Sequence, residues 1–127
     1  MHKILLIDDD QDFVAATKMI LESRFNYQVI TTSDGVFGLP IAKSEKPDLI
    51  ILDVIMPIED GFTVAKQFKA DPQLAQIPIL ILTSFSQRMG ETDISVAQGM
   101  ELEADDYIEK SVNPEELLRR VDKLIEK

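Results

Sequence analysis

Asp48-Leu49-Ile50-Ile51-Leu52-Asp53 sets four consecutive aliphatic residues between two carboxylates. A run this short and this apolar, with no polar alternation, fits a strand covered on both faces, as in a parallel sheet. Lys3 to Ile7 has the same character and ends in Asp8-Asp9-Asp10, while Asp53 is followed by Met56-Pro57 and Asp60-Gly61. The C-terminal ends of parallel strands open on one edge, where α/β folds bind ligands, so these acids should converge there. Carboxylates that close repel one another, and a bound divalent cation is a usual remedy. Asp53, directly after an apolar run, is a poor core residue unless something compensates its charge.

Further strand-like runs lie at 27–31, 77–82 and about 105–108, separated by segments long enough for one helix each. That alternation predicts an α/β domain with a parallel sheet. The first helix is expected from about Asp12 to Arg24, with Phe13, Ala16, Ile20 and Leu21 on one stripe. The last starts at Pro114, with Asn113 as N-cap, Glu116 placed to close a capping box, and Leu117, Val121, Leu124 and Ile125 aligned. Pro40 falls inside the expected second helix and predicts irregularity there. Between Thr83 and Gly99 the periodicity is poor and Gly90 interrupts it, so a helix in that stretch should begin late, capped by Thr92.

A length of 127 residues predicts one domain, 1–127, with a single core. Thirteen Lys and Arg against 23 Asp and Glu give a net charge of −10, which disfavours direct binding of nucleic acid or anionic membrane. With no cysteine, neither a disulfide nor a thiolate metal site is possible. The strand pattern begins at once, with no apolar leader, which predicts a cytoplasmic location and no membrane insertion. His2 is expected to fray.

Strand four ends in Thr83-Ser84, and the fifth runs through Tyr107-Ile108 into Glu109-Lys110. Lys110 is the only lysine between residues 70 and 122, so a lysine counterpart to the acids on this side is Lys110. The edge therefore collects three carboxylates, a hydroxyl and an ammonium.

With Asp8-Asp9, Asp53, Met56-Pro57, Asp60-Gly61, Thr83-Ser84, Tyr107 and Lys110 in this order, the chain resembles the receiver domain of two-component response regulators over essentially its whole length. The resemblance implies a flavodoxin-like, doubly wound, five-stranded parallel sheet of order 2-1-3-4-5 with five helices. It implies Asp53 as phosphoacceptor, and Mg²⁺, with Mn²⁺ as a substitute, held by Asp53, Asp9 directly, Asp8 through water and the backbone carbonyl of Ile55. Lys110 and Thr83, and more weakly Ser84, would hold the phosphoryl oxygens, with Thr83 and Tyr107 as the switch pair. The implied donor is a sensor histidine kinase or a histidine phosphotransfer protein, and the output an unidentified protein target. On this reading the chain is not an enzyme, since it catalyses only its own phosphorylation and dephosphorylation.

Two features depart from the family pattern. Ser111 follows Lys110 where receivers commonly have proline, which predicts a trans bond and a rearranged loop, and the link from Gly99 to Tyr107 is several residues longer than usual. Phe85, with Ile55 on the other side, should hinder the water that hydrolyses the acyl phosphate, predicting a long-lived phosphorylated state. The competing reading is a haloacid dehalogenase-type phosphatase with Asp8 as nucleophile, Asp10 as acid and Asp105-Asp106 as later metal ligands. Against it, Asp12 stands where that motif has Thr or Val, and a cap domain does not fit in this length.

Overall fold

A computed structural model of the chain describes residues 1–53, 61–83 and 105–126, with the side chains of Val36, 61–63 and Thr83 outside that description. Five strands, β1 (His2–Ile7), β2 (Tyr27–Thr32), β3 (Leu49–Asp53), β4 (Ile79–Thr83) and β5 (Asp106–Glu109), form one sheet in the order β2-β1-β3-β4-β5. All four pairings are parallel, with Ile7 opposite Leu52, Asp53 opposite Leu82, and Thr83 opposite Glu109. The order and direction match those the resemblance implies. Among the described residues there are four helices, α1 (Gln11–Leu21), α2 (Gly35–Glu45), α3 (Gly61–Ala70) and α4 (Pro114–Ile125). The fifth, expected to start near Thr92, falls at 84–104, outside the described residues.

Strand periodicity of two splits the aliphatic runs between the two faces of the sheet. Ile4, Leu6, Leu49, Ile51, Leu80, Leu82 and Ile108 pack under α1 and α4, against Val14, Leu21, Leu117, Val121 and Leu124. Leu5, Ile7, Ile50, Leu52, Ile79 and Ile81 pack under α2 and α3, against Ala42, Val64, Ala65 and Phe68. Each Val, Leu, Ile or Phe among them contributes about 1.5–3 kcal/mol by leaving water. Gly38 lets α2 lie close, because a Cβ there would stand 2.7 Å from Ile7 Cδ1 and 3.4 Å from Phe68 Cζ.

Several expectations need correction. The buried stripe of α1 is Val14, Thr17 and Leu21, with Phe13 and Ile20 at its margins; Ala16 is exposed. Thr17 reads as polar in sequence, yet its methyl lets it serve as a core residue. Pro40 does not break α2, which runs through it as one element. Pro40 is exposed, and it leaves the helix one backbone donor short. Asn113 caps α4 by accepting the Glu116 N–H at 2.8 Å, but the Glu116 carboxylate, instead of closing the box, is engaged by Arg119 and Arg120. His2 is not frayed: it opens β1, its N–H donates to Asn26 at 2.8 Å, and its ring packs edge-on to Tyr27. Strand four begins at Ile79, two residues later than expected, where Ile79 donates its N–H to the Asp105 carboxylate at 2.8 Å.

Candidate functional site

The alternation that buries Ile4 and Leu6 on the α1 face directs Asp8 to the same side. Leu49 and Ile51 do the same for Asp53, and Ile108 for Lys110. Three strands therefore bring two acids and one base together beyond their C-terminal ends. Asp8 and Asp53 are buried, at 0% and 1% exposure, while Asp9 is exposed. Oxygens of Asp8, Asp9 and Asp53 lie within 4.8 Å of one another.

Lys110 reaches this cluster from a turn in which the Val112 N–H donates to the Glu109 carbonyl at 3.0 Å. Among the described residues no peptide bond is cis, so the Lys110–Ser111 bond is trans, as expected without proline. The ammonium donates to Asp53 Oδ2 at 3.3 Å and stands 2.8 Å from Asp8 Oδ2. The Asp8 contact is a close ion pair whose alignment falls short of an ideal hydrogen bond, so charge dominates what Asp8 Oδ2 receives from the lysine. Burial alone would lower the Lys110 pKa, but its contact with Asp8 and the charge of Asp53 outweigh that and hold it above the ordinary value. The lysine is thus a fixed cation at neutral pH.

Asp10 is not drawn into the cluster. Its N–H donates to Asp8 Oδ1 at 2.9 Å, and its own carboxylate caps α1 by accepting the Phe13 N–H at 3.1 Å. Phe13 then lays its ring 4.7 Å from the Lys110 ammonium. Sequence reasoning took Phe13 only as core; the missed signal was its place at the third position of a helix that starts at the acids.

Among the described residues, three carboxylates around one ammonium leave a formal excess of two negative charges. The donors are hard oxygens, one exposed carboxylate leaves room for water, and a buried Asp8 oxygen lacks an aligned donor. This set fits a divalent cation of the oxygen-preferring kind.

The other named residues fall as follows. Thr83 closes β4 opposite Glu109, its side chain outside the described residues, as are Ile55, Ser84 and Phe85 and the link before Asp105. Tyr107 pairs with Ile81 and packs, partly buried, on the α2 and α3 face of the sheet. Asp105 and Asp106 sit where β5 begins, at the opposite end of the sheet from Asp8. Asp105 binds the Ile79 N–H and Lys69, and Asp106 pairs with Arg120 at 2.8 Å. They cannot serve Asp8 as metal ligands, which removes the geometric basis of the phosphatase reading.

Residues 4–122 match the model of the response regulator receiver domain. The chain is 43% identical over 119 residues to the alkaline phosphatase synthesis transcriptional regulatory protein PhoP of Bacillus subtilis, covering 94% of this chain and 46% of that protein. It is 38% identical to the DNA-binding dual master transcriptional regulator RpaA of Synechocystis, covering 98% of this chain and 49% of that protein. The chain thus spans about half the length of the curated relatives it matches. Among solved structures, it resembles the chemotaxis protein CheY4 of Vibrio cholerae at 31% identity and a TM-score of 0.83, covering 98% of each chain. It also resembles the signal receiver domain of a signal transduction histidine kinase from Syntrophus aciditrophicus at 30% identity and a TM-score of 0.86, covering 99% of this chain and 91% of that one. Sheet order, the acid cluster with its lysine, and these likenesses agree: the chain belongs to the family of response regulator receiver domains.

Proposed function

We propose that residues 1–127 form one receiver domain that takes a phosphoryl group onto Asp53 and signals by changing its partner-binding face. The observation that carries this reading is the burial of Asp53 beside Asp8 and Asp9, with Lys110 as shared cation at 3.3 Å and 2.8 Å from Asp53 and Asp8. A carboxylate oxygen of Asp53 attacks phosphorus in line. The new O–P bond forms as the donor's N–P bond breaks, and the imidazole nitrogen of the phosphohistidine keeps the electron pair. Lys110 offsets the charge carried by the phosphoryl oxygens, joined by the Thr83 hydroxyl and more weakly by Ser84. Asp9 directly, Asp8 through water, Asp53 and the Ile55 carbonyl would hold Mg²⁺ or Mn²⁺, which when bound neutralises charge on the attacking carboxylate and the incoming group.

Phosphorylation replaces roughly one negative charge on Asp53 by two and adds acceptor oxygens that draw Lys110 and Thr83 inward. Space vacated by Thr83 is filled by Tyr107, which alters the surface around β5 and α4. The donor is a sensor histidine kinase or histidine phosphotransfer protein, and the reader is another protein. The chain acts on itself and not as an enzyme on other substrates. Cytoplasmic residence suits such a donor, and among the described residues no helix is long and apolar enough to cross a membrane.

Acetyl phosphate with Mg²⁺ tests the reading by intact mass. Wild type should gain one phosphoryl group and Asp53→Asn none; labelling that survives Asp53→Asn overturns the assignment.

A further inference from the structure

Four contacts close a ring at the edge of the pocket. Asp8 Oδ1 accepts the Asp10 N–H at 2.9 Å, and Asp10 Oδ1 accepts the Phe13 N–H at 3.1 Å. The Phe13 ring faces the Lys110 ammonium at 4.7 Å, and that ammonium returns to Asp8 at 2.8 Å. Lysine is a flexible chain with a compact charge, so its position is set by what meets its tip. Here carboxylates meet it on one side and an aromatic face on another. The face of the ring carries partial negative charge and attracts a cation, more strongly when water is excluded. Lys110 is only 17% exposed in its side chain, so this contact is largely sheltered.

We propose that Phe13 is a positioning residue for Lys110: its ring face keeps the ammonium over Asp8 and Asp53, and Asp10, by capping α1, fixes the ring. When a phosphoryl group arrives at Asp53, Lys110 must shift its bonds from carboxylate to phosphoryl oxygens. The ring contact does not compete for either set, so it holds the cation in place through the exchange. Simple packing of Phe13 against the apolar cluster under α1 would require only bulk, which leucine also supplies. The catalytic consequence rests on Asp53 being the phosphoacceptor.

Two measurements test it on the full chain. The first is the NMR shift of the Lys110 ε-methylene protons in unphosphorylated protein. Wild type and Phe13→Tyr should show the upfield displacement of protons above a ring, and Phe13→Leu should lose it. The second is the rate of acetyl phosphate uptake with saturating Mg²⁺, expected to be about threefold to tenfold slower in Phe13→Leu and restored by Phe13→Tyr. A folded Phe13→Leu protein that takes up phosphate like wild type overturns the proposal. So does a wild-type Lys110 without the upfield shift, a result that needs no variant to fold. Wild type with the shift but no uptake would instead sink the phosphoacceptor reading and, with it, the catalytic role of Phe13.

Discussion

Asp122 and Asp53 are both aspartates sheltered by the fold, at opposite ends of the same sheet, and they are treated in opposite ways. Asp122, on α4, faces the end where the strands begin and has two donors of its own: Arg24 at 2.7 Å and the Tyr27 hydroxyl at 2.6 Å. Burial alone would raise its pKa, but the bonds from Arg24 and Tyr27 outweigh that and hold its carboxyl below the ordinary range. Nearby acids at that end are also matched, Glu45 by Lys3 at 3.1 Å and Asp105 by the Ile79 N–H at 2.8 Å. At the end where the strands finish, Asp8 and Asp53 share Lys110, with Asp9 beside them. One end is balanced within the chain and contributes stability. Among the described residues the other is left with more carboxylates than cations, a charge balance that a bound divalent cation would restore.

The comparison breaks most visibly if the balanced end is unbalanced. Asp122→Ala strands the buried Tyr27 hydroxyl and frees Arg24, so unfolding in urea should show a loss of about 2 kcal/mol. Because the Asp122 pKa is depressed in the fold, its contribution is present above the unfolded carboxyl value and lost as pH falls through the folded one, so the penalty should shrink in acid. Acetyl phosphate uptake should not change.

A smaller effect should come from supplying the missing charge at the other end. Mg²⁺ at ten times its Kd should stabilise wild type by about 1.4 kcal/mol through mass action, read as a rise in thermal midpoint. Asp122→Ala should respond equally and Asp9→Asn much less. An equal response in Asp9→Asn would place the ion elsewhere.

Tyr27→Phe gives the finest cut, removing one hydrogen bond while Arg24 stays on Asp122, at a cost of about 1 kcal/mol at neutral pH. Burial first, and then the bond to Asp122, raise the Tyr27 pKa, so the fold favours the neutral phenol. That contribution is whole below the unfolded value of about 10 and is lost as pH climbs through the raised folded value. Wild type should therefore lose stability relative to Tyr27→Phe above about pH 10, and a constant difference between the two would contradict the raised value.

What the sequence revealed divides along the same line. Strand ends are local features, so the aliphatic runs before Asp8 and Asp53 and the isolation of Lys110 were enough to place the pocket. Asn113 and Pro114 marked the start of α4 for the same reason, since capping is a matter of three adjacent residues. The balanced end was invisible because Tyr27 and Asp122 stand 95 positions apart and nothing near either names its partner. Phe13 was half legible: its apolar character marked it for the core, but only the register of α1 against β5 turns its ring toward Lys110. Ala16 was misread for a related reason, because a threonine methyl and an alanine bury equally well and the helix rotation placed Thr17 in the core instead.

Gly38 has a consequence for how this sequence could drift. Alanine there would meet Ile7 Cδ1 at 2.7 Å, and Ile7 is fully enclosed, so a side chain at position 38 requires the Ile7 side chain to give way. Ile7 directly precedes Asp8, so a methyl group at residue 38 presses on the side-chain tip of the residue next to a pocket acid. A side chain at position 38 is therefore accommodated most readily alongside a smaller residue at position 7, such as Ile7→Val.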